Sequence, residues 1–199
     1  MRLFFLIVFG LACWITTPLT HADEALVEAA QDRLKVSVRY DGAYVRLDYP
    51  GGDVPPDTGV CTDVIIRSYR AAFGFDFQKA VHEDMRANFS AYPKIWGLER
   101  ADKNIDHRRV PNLETYLKRE GAELPVSKSA ADYKAGDIVT WRLGGRLPHI
   151  GIVSDKKSRE GTPLIIHNVG AGPQEEDVLF IYDLHRHYRF IPSSELKRL

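Results

Sequence analysis

"AGDIVTWRLGGRLPHIGIVSDKKSREGTPLIIHNVG", residues 135–170, decides the fold. It holds three short runs rich in β-branched and aromatic residues: DIVTWRL (137–143), HIGIVSD (149–155) and PLIIHNV (163–169). Glycine, proline or charged residues separate them. Such runs read as strands, and several in succession argue for an antiparallel meander. YRFIP (188–192) reads as a further strand of the same sheet.

Upstream the character is helical. EALVEAAQDRL (24–34) has apolar residues at helical spacing, with Asp23 as its cap. VSVRYDGAYVRLDY (36–49) alternates and turns at Asp41-Gly42, which predicts a hairpin, and PGGDVPPDTG (50–59) is loop by composition. VCTDVIIRSYRAAF (60–73) predicts a helix ended by Gly74, with Val60, Val64, Ile65, Ala72 and Phe73 on its buried face. A short helix follows at 77–88, then an irregular stretch, then a helix at 112–121 closed by Gly121. Helices first and a meander afterwards predict an α+β domain.

The N-terminus reads as a targeting segment. MRLFFLIVFGLACWI has one positive charge and then an apolar run, followed by a polar stretch ending in Thr20-His21-Ala22. That is the layout of a secretory signal peptide over 1–22, too short for a comfortable membrane span, and it predicts a periplasmic or secreted protein. A lipid-modified start at Cys13 is a weaker fit, because Gly10 sits where such sites place a larger aliphatic. Removing the segment leaves 23–199, about 175 residues, the size of one domain with a substantial core. The 27 basic and 27 acidic residues balance and form no basic stripe, which argues against a nucleic-acid partner. No membrane-spanning segment is expected in the mature chain, and a monomer is the expected state.

Loss of the signal removes Cys13 and leaves Cys61 as the only thiol. A lone cysteine in an oxidising compartment needs an explanation: a partner chain, a reactive thiol, or burial as an inert core residue. Cys61 falls in the first turn of its predicted helix, where free N–H groups and the helix dipole favour a thiolate and could hold an oxyanion. The meander supplies two histidines. His149 opens one strand and His167 ends the next, so neighbouring strands would set the two imidazoles side by side at the sheet edge. Sulfur, base and orienting group would then stand in a row. Asn168 is a rival orienting group, although strand alternation puts it on the other face. A zinc site from Cys61, His149 and His167 fits no standard ligand spacing. IDHRRVPN (105–112) concentrates Arg108 and Arg109 in a loop, either as a fork for a peptide carboxylate or as a loop locked by its own ion pairs.

AGDIVTWRL, LPHIGIVSD and PLIIHNVGAG resemble the three core strands of NlpC-type cell-wall peptidases, a papain-like cysteine peptidase superfamily. YPGG (49–52), with a cysteine about a dozen residues later, resembles that family's approach loop. More closely, GVCTDV, VHEDM, IDHRRVPNL and HNVGAG resemble the YijF-like exported bacterial proteins, a domain-of-unknown-function family placed near the same superfamily. The resemblance implies a papain-like NlpC-type domain with Cys61 as nucleophile, His149 as general base and His167 as the residue orienting it. Tyr49 would line the substrate cleft. The implied activity is an exported cysteine hydrolase that cuts an amide of peptidoglycan stem peptides without a cofactor. A non-catalytic envelope binding protein, or an amidase or acyltransferase on another substrate, would use the same fold. Two departures stand out. Many members have Asp-Cys-Ser at the nucleophile, where this chain has Val60-Cys61-Thr62. The Cys61 to His149 gap is also long, which predicts an inserted loop near 88–112 over or beside the cleft.

Overall fold

The computed structural model describes residues 21–192. The predicted signal segment lies outside the described residues except for His21 and Ala22, which begin helix α1 (His21–Asp32).

Three further helices precede the sheet: α2 (Cys61–Phe73), α3 (Phe77–Ala87) and α4 (Val110–Arg119). α2 stops at Gly74, whose φ of 62° lets its N–H turn back to the carbonyls of Tyr69 and Arg70. Asp76 caps α3 by accepting from Gln78 N–H at 2.9 Å, and Pro111 sits in the first turn of α4, where no donor is missed. Six strands form the main sheet: β3 (Glu123–Leu124), β4 (Ile138–Leu143), β5 (Leu147–Lys157), β6 (Pro163–Asn168), β7 (Pro173–Glu176) and β8 (Asp183–Tyr188). Their order is β3-β8-β4-β5-β6-β7, with every pairing antiparallel. The α+β expectation therefore holds.

Both faces of the sheet are covered, which explains the near-continuous apolar runs in place of strict alternation. Ile138, Ile150, Ile152 and Ile166 pack under the helices with Val64, Ile65 and Tyr69 of α2. Val139, Trp141, Val153 and Ile165 form a second cluster on the other face with Tyr133, Val178 and Leu179 from flanking loops.

Three expectations are corrected. Residues 36–49 form no hairpin: β1 (Arg39–Tyr40) pairs in parallel with β2 (Thr58–Gly59) instead. The Asp41-Gly42 turn is made, with Ala43 N–H donating to Asp41 Oδ1 at 2.9 Å. Beyond it the carbonyls of Asp41 and Ala43 are taken by Arg108, and Leu47 N–H goes to Asn104 Oδ1, so no returning ladder forms. The last strand is 183–188 and not 188–192. Its polar sequence DLHRHY hides it, while Phe190 leaves the sheet to join Tyr69, Phe75 and Phe77 in an aromatic cluster. β3 and β7 carry no apolar signal and were not expected.

Gly151 of β5 faces His167 of β6. A Cβ there would come within 2.6 Å of Ile165 Cγ2 and 3.1 Å of the Ile166 carbonyl oxygen. Gly151→Ala is expected to destabilise the protein by about 1–3 kcal/mol in urea unfolding, the usual cost of overpacking.

Candidate active site

Cys61 is the first residue of α2, and the local sequence fixes it there. Val60 is extended and has no side-chain oxygen to cap with, so Asp63 reaches back and accepts the Val60 N–H at 2.7 Å. Asp63 is itself held by Arg108, whose Nε and Nη2 donate to its two oxygens at 3.0 and 2.9 Å. Thr62 Oγ1 donates to the Arg108 carbonyl at 3.1 Å. The helix start and the 106–108 turn are thus one clamped unit.

The thiol is 5% exposed. The Tyr40 hydroxyl and the backbone N–H groups of Ile150 and Thr62 lie near it and favour its ionised form. Pairing between β5 and β6 starts only at Gly151, which leaves the opening of β5, with Ile150, bonded to β4 alone. The Cys61 N–H also lies near the Tyr40 oxygen.

His149 sits one position before Ile150. Its Nε2 lies 2.8 Å from His167 Nδ1, and His167 Nε2 lies 3.0 Å from Glu176 Oε2. This relay fixes the tautomers by inference. A carboxylate only accepts, so His167 must carry its proton on Nε2. His167 Nδ1 then accepts from His149 Nε2–H, and His149 Nδ1 is left as the ring nitrogen with a free lone pair. Both imidazoles are buried, and the Trp141 ring lies 5.7 Å from that of His149 and shields it. No hydrogen bond joins His149 to Cys61 in this resting arrangement of the described residues.

A family model described as a domain of unknown function, DUF1287, matches residues 27–190. The chain belongs to this family. It is 56% identical over 166 residues to the uncharacterized protein YijF of Escherichia coli (strain K12), covering 83% of this chain and 80% of that one. Among solved structures, the NlpC/p60 domain of peptidoglycan hydrolase SagA aligns over 84% of this chain and 98% of its own, at 16% identity and a TM-score of 0.45.

Of the expected site residues in this DUF1287 domain, the structure brings His149 and His167 into contact and sets Cys61 against the neighbouring backbone. His167, and not Asn168, meets His149; Asn168 Oδ1 instead accepts from Gly170 N–H at 3.0 Å. Arg108 is not free to form half of a substrate fork. It is buried and spent on Asp63 and on the carbonyls of Asp41 and Ala43. Arg109 lines the cavity over Cys61, stacked 4.2 Å above Trp96 and paired with Asp106 at 3.2 Å. Tyr49 is not in that cavity; its ring packs edge-on against His82, 5.2 Å away. Tyr40 takes the place expected of it, and only the failed hairpin hid that. Glu176 was missed because β7 has no apolar pattern. Among the described residues no group of three His, Cys, Asp or Glu side chains is placed to hold a metal, and no helix is long and apolar enough to cross a membrane.

The electrostatics reverse one expectation. The helix start was expected to depress the Cys61 pKa, but burial pushes it up to about 11, against the pull of Tyr40 and the two N–H groups and with a further push from the Asp63 carboxylate. Burial, then the neighbouring His167, takes His149 down to about 3. At neutral pH the resting pair is a thiol and a neutral imidazole. Iodoacetamide labelling of Cys61 is therefore expected to be slow at pH 7 and to climb about tenfold per pH unit until near pH 10. Fast labelling below pH 8 would contradict this.

His149 also links stability to acid. Its folded pKa lies below the value of the unfolded chain, so the unfolded state binds the proton first and stability falls as pH drops from about 6.5 towards 3. His107, also lowered to about 3 by burial, acts in the same window. In His149→Gln the slope of unfolding free energy against pH, measured by urea titrations between pH 6.5 and 4, is expected to shrink by up to about 1.4 kcal/mol per pH unit.

Proposed function

We propose that this chain is an exported cysteine hydrolase that cleaves an amide bond in peptidoglycan stem peptides. The observation that carries the reading is the relay Glu176–His167–His149, which presents a bare imidazole nitrogen one residue from Ile150, whose N–H lies near the Cys61 sulfur. The sequence resemblance of the three strands to cell-wall peptidases supplies the substrate class.

The chemistry follows from the groups present. Substrate entering the cavity over Cys61 brings sulfur and His149 Nδ1 together. The thiol proton passes to His149, and the thiolate attacks the amide carbonyl. The imidazolium so formed is supported through His167 by the Glu176 carboxylate. The Cys61 N–H and the Tyr40 hydroxyl are the donors that would receive the oxygen that gains charge. His149 returns its proton to the leaving amine as the C–N bond breaks. Water, deprotonated by the same nitrogen, then hydrolyses the thioester and restores the thiol.

One observation favours a second reading, a binding module on the same fold. The resting thiol is buried, neutral and not bonded to His149. Digestion of purified muropeptides, read by mass spectrometry, separates the two. Cys61→Ala is expected to abolish cleavage, His149→Ala to reduce it by about 10²–10⁴-fold and Glu176→Gln by less. A Cys61→Ala chain as active as the parent would overturn the hydrolase.

A further inference from the structure

The cavity over Cys61, about 470 Å³, does not end at the sulfur. Pro111 and Pro148 line it, and they also line a second cavity of about 410 Å³. Pro148 directly precedes His149, so the two cavities share a wall residue next in sequence to the proposed base.

Charge is unevenly spread along this path. The second cavity is lined by Lys118, Arg142, Arg146 and Arg186 against Glu114 and Glu123. Arg142 is answered in full, because its two terminal nitrogens meet the two oxygens of Glu114 at 2.9 and 2.7 Å. Lys118 and Arg186 share Glu123 at 3.4 and 3.5 Å, which leaves both loosely held. Arg146, at the end of the Gly144-Gly145 turn, has no ion-pair partner among the described residues. The other neighbouring space, which meets the Cys61 cavity at Tyr44, is balanced: Glu99 and Asp102 face Arg100 and Lys103. Inside the Cys61 cavity Arg108 and Arg109 are already matched to Asp63 and Asp106. Only one end of the path has cationic groups in excess of its carboxylates.

We infer that this second cavity is the subsite for a carboxylate of the substrate, on the flank of the scissile amide that lies beyond Pro148. The inference rests on the proposed hydrolase reading and narrows it to stem peptides with a free carboxylate near the cleaved bond. Excess positive charge in a walled cleft raises the local concentration of anions, and lysine and arginine donors bond a carboxylate better than its amide.

The test uses the full chain carrying Cys61→Ala, so that ligand is not consumed, and isothermal calorimetry at low salt. The probes are a synthetic stem tetrapeptide with free carboxylates and the same peptide with those groups converted to carboxamides. The free acid is expected to bind about five- to tenfold more tightly, with the preference shrinking at high salt. Adding Arg146→Gln, an exposed change with no ion pair to break, should reduce that preference, and adding Lys118→Gln should remove it. Equal affinity for acid and amide, binding of neither at millimolar concentration, or a preference untouched by both substitutions would overturn the inference. Failure of the hydrolase reading looks different. Selective binding of the acid without cleavage by the unsubstituted chain keeps the subsite and removes the enzyme. Cleavage of both peptides at equal rates keeps the enzyme and removes the subsite.

Discussion

The buried pair between Asp63 and Arg108 holds the site together. Both side chains are almost completely enclosed, at 3% and 2% exposure, so neither has water as an alternative partner. Such a pair is a weak source of net stability, but removing one member strands a charge, and this makes the geometry hard to change. Asp63 secures the first turn of α2 through Val60. Arg108 draws in the carbonyls of Asp41 and Ala43, which fixes where Tyr40 points. One ion pair thus sets the height of the sulfur, the position of the phenol beside it and the course of the loop that walls the cavity. A second buried arginine, Arg67, does similar work on the other side of α2: it meets both oxygens of Asp53 and the carbonyls of Val54, Pro55 and Thr58.

The sheet contributes in a different way. Because pairing with β6 starts only at Gly151, the opening of β5 is bonded on one side only, to β4, and its other side faces the helix layer's Cys61. The same register sets His167 across from Gly151, where only a glycine allows so close an approach. From there His167 reaches His149 on one side and Glu176 of the outer strand on the other. The relay crosses three neighbouring strands, and its spacing is the spacing of a sheet.

Much of this was legible in the sequence, and the limits have physical causes. Runs such as IVTW and LII announced the central strands because burial on both faces demands apolar residues throughout. Gly74 and Gly121 marked helix ends because few other residues take up the backbone turn. Cys61, His149 and His167 stood out by residue type and position. β7 and the short β3 are polar edge strands, and β8, paired on both sides, is polar as well; the pairing of all three is decided by neighbours far along the chain. The fate of Arg108 was equally out of reach: a loop arginine and a buried arginine look alike until Asp63 is known to lie beside it. The thiol's neutrality followed from desolvation, which no linear pattern records.

That neutrality bears on how Cys61 resists oxidation. With the pKa raised to about 11, only about one sulfur in ten thousand is ionised at pH 7. Peroxide and disulfide donors react with the ionised form, and the enclosed position denies them an approach. The fold therefore keeps the group chemically silent until something displaces the contacts that cover it. A sulfur kept in reserve this way is shielded from sulfenic acid formation and mixed disulfides by burial alone.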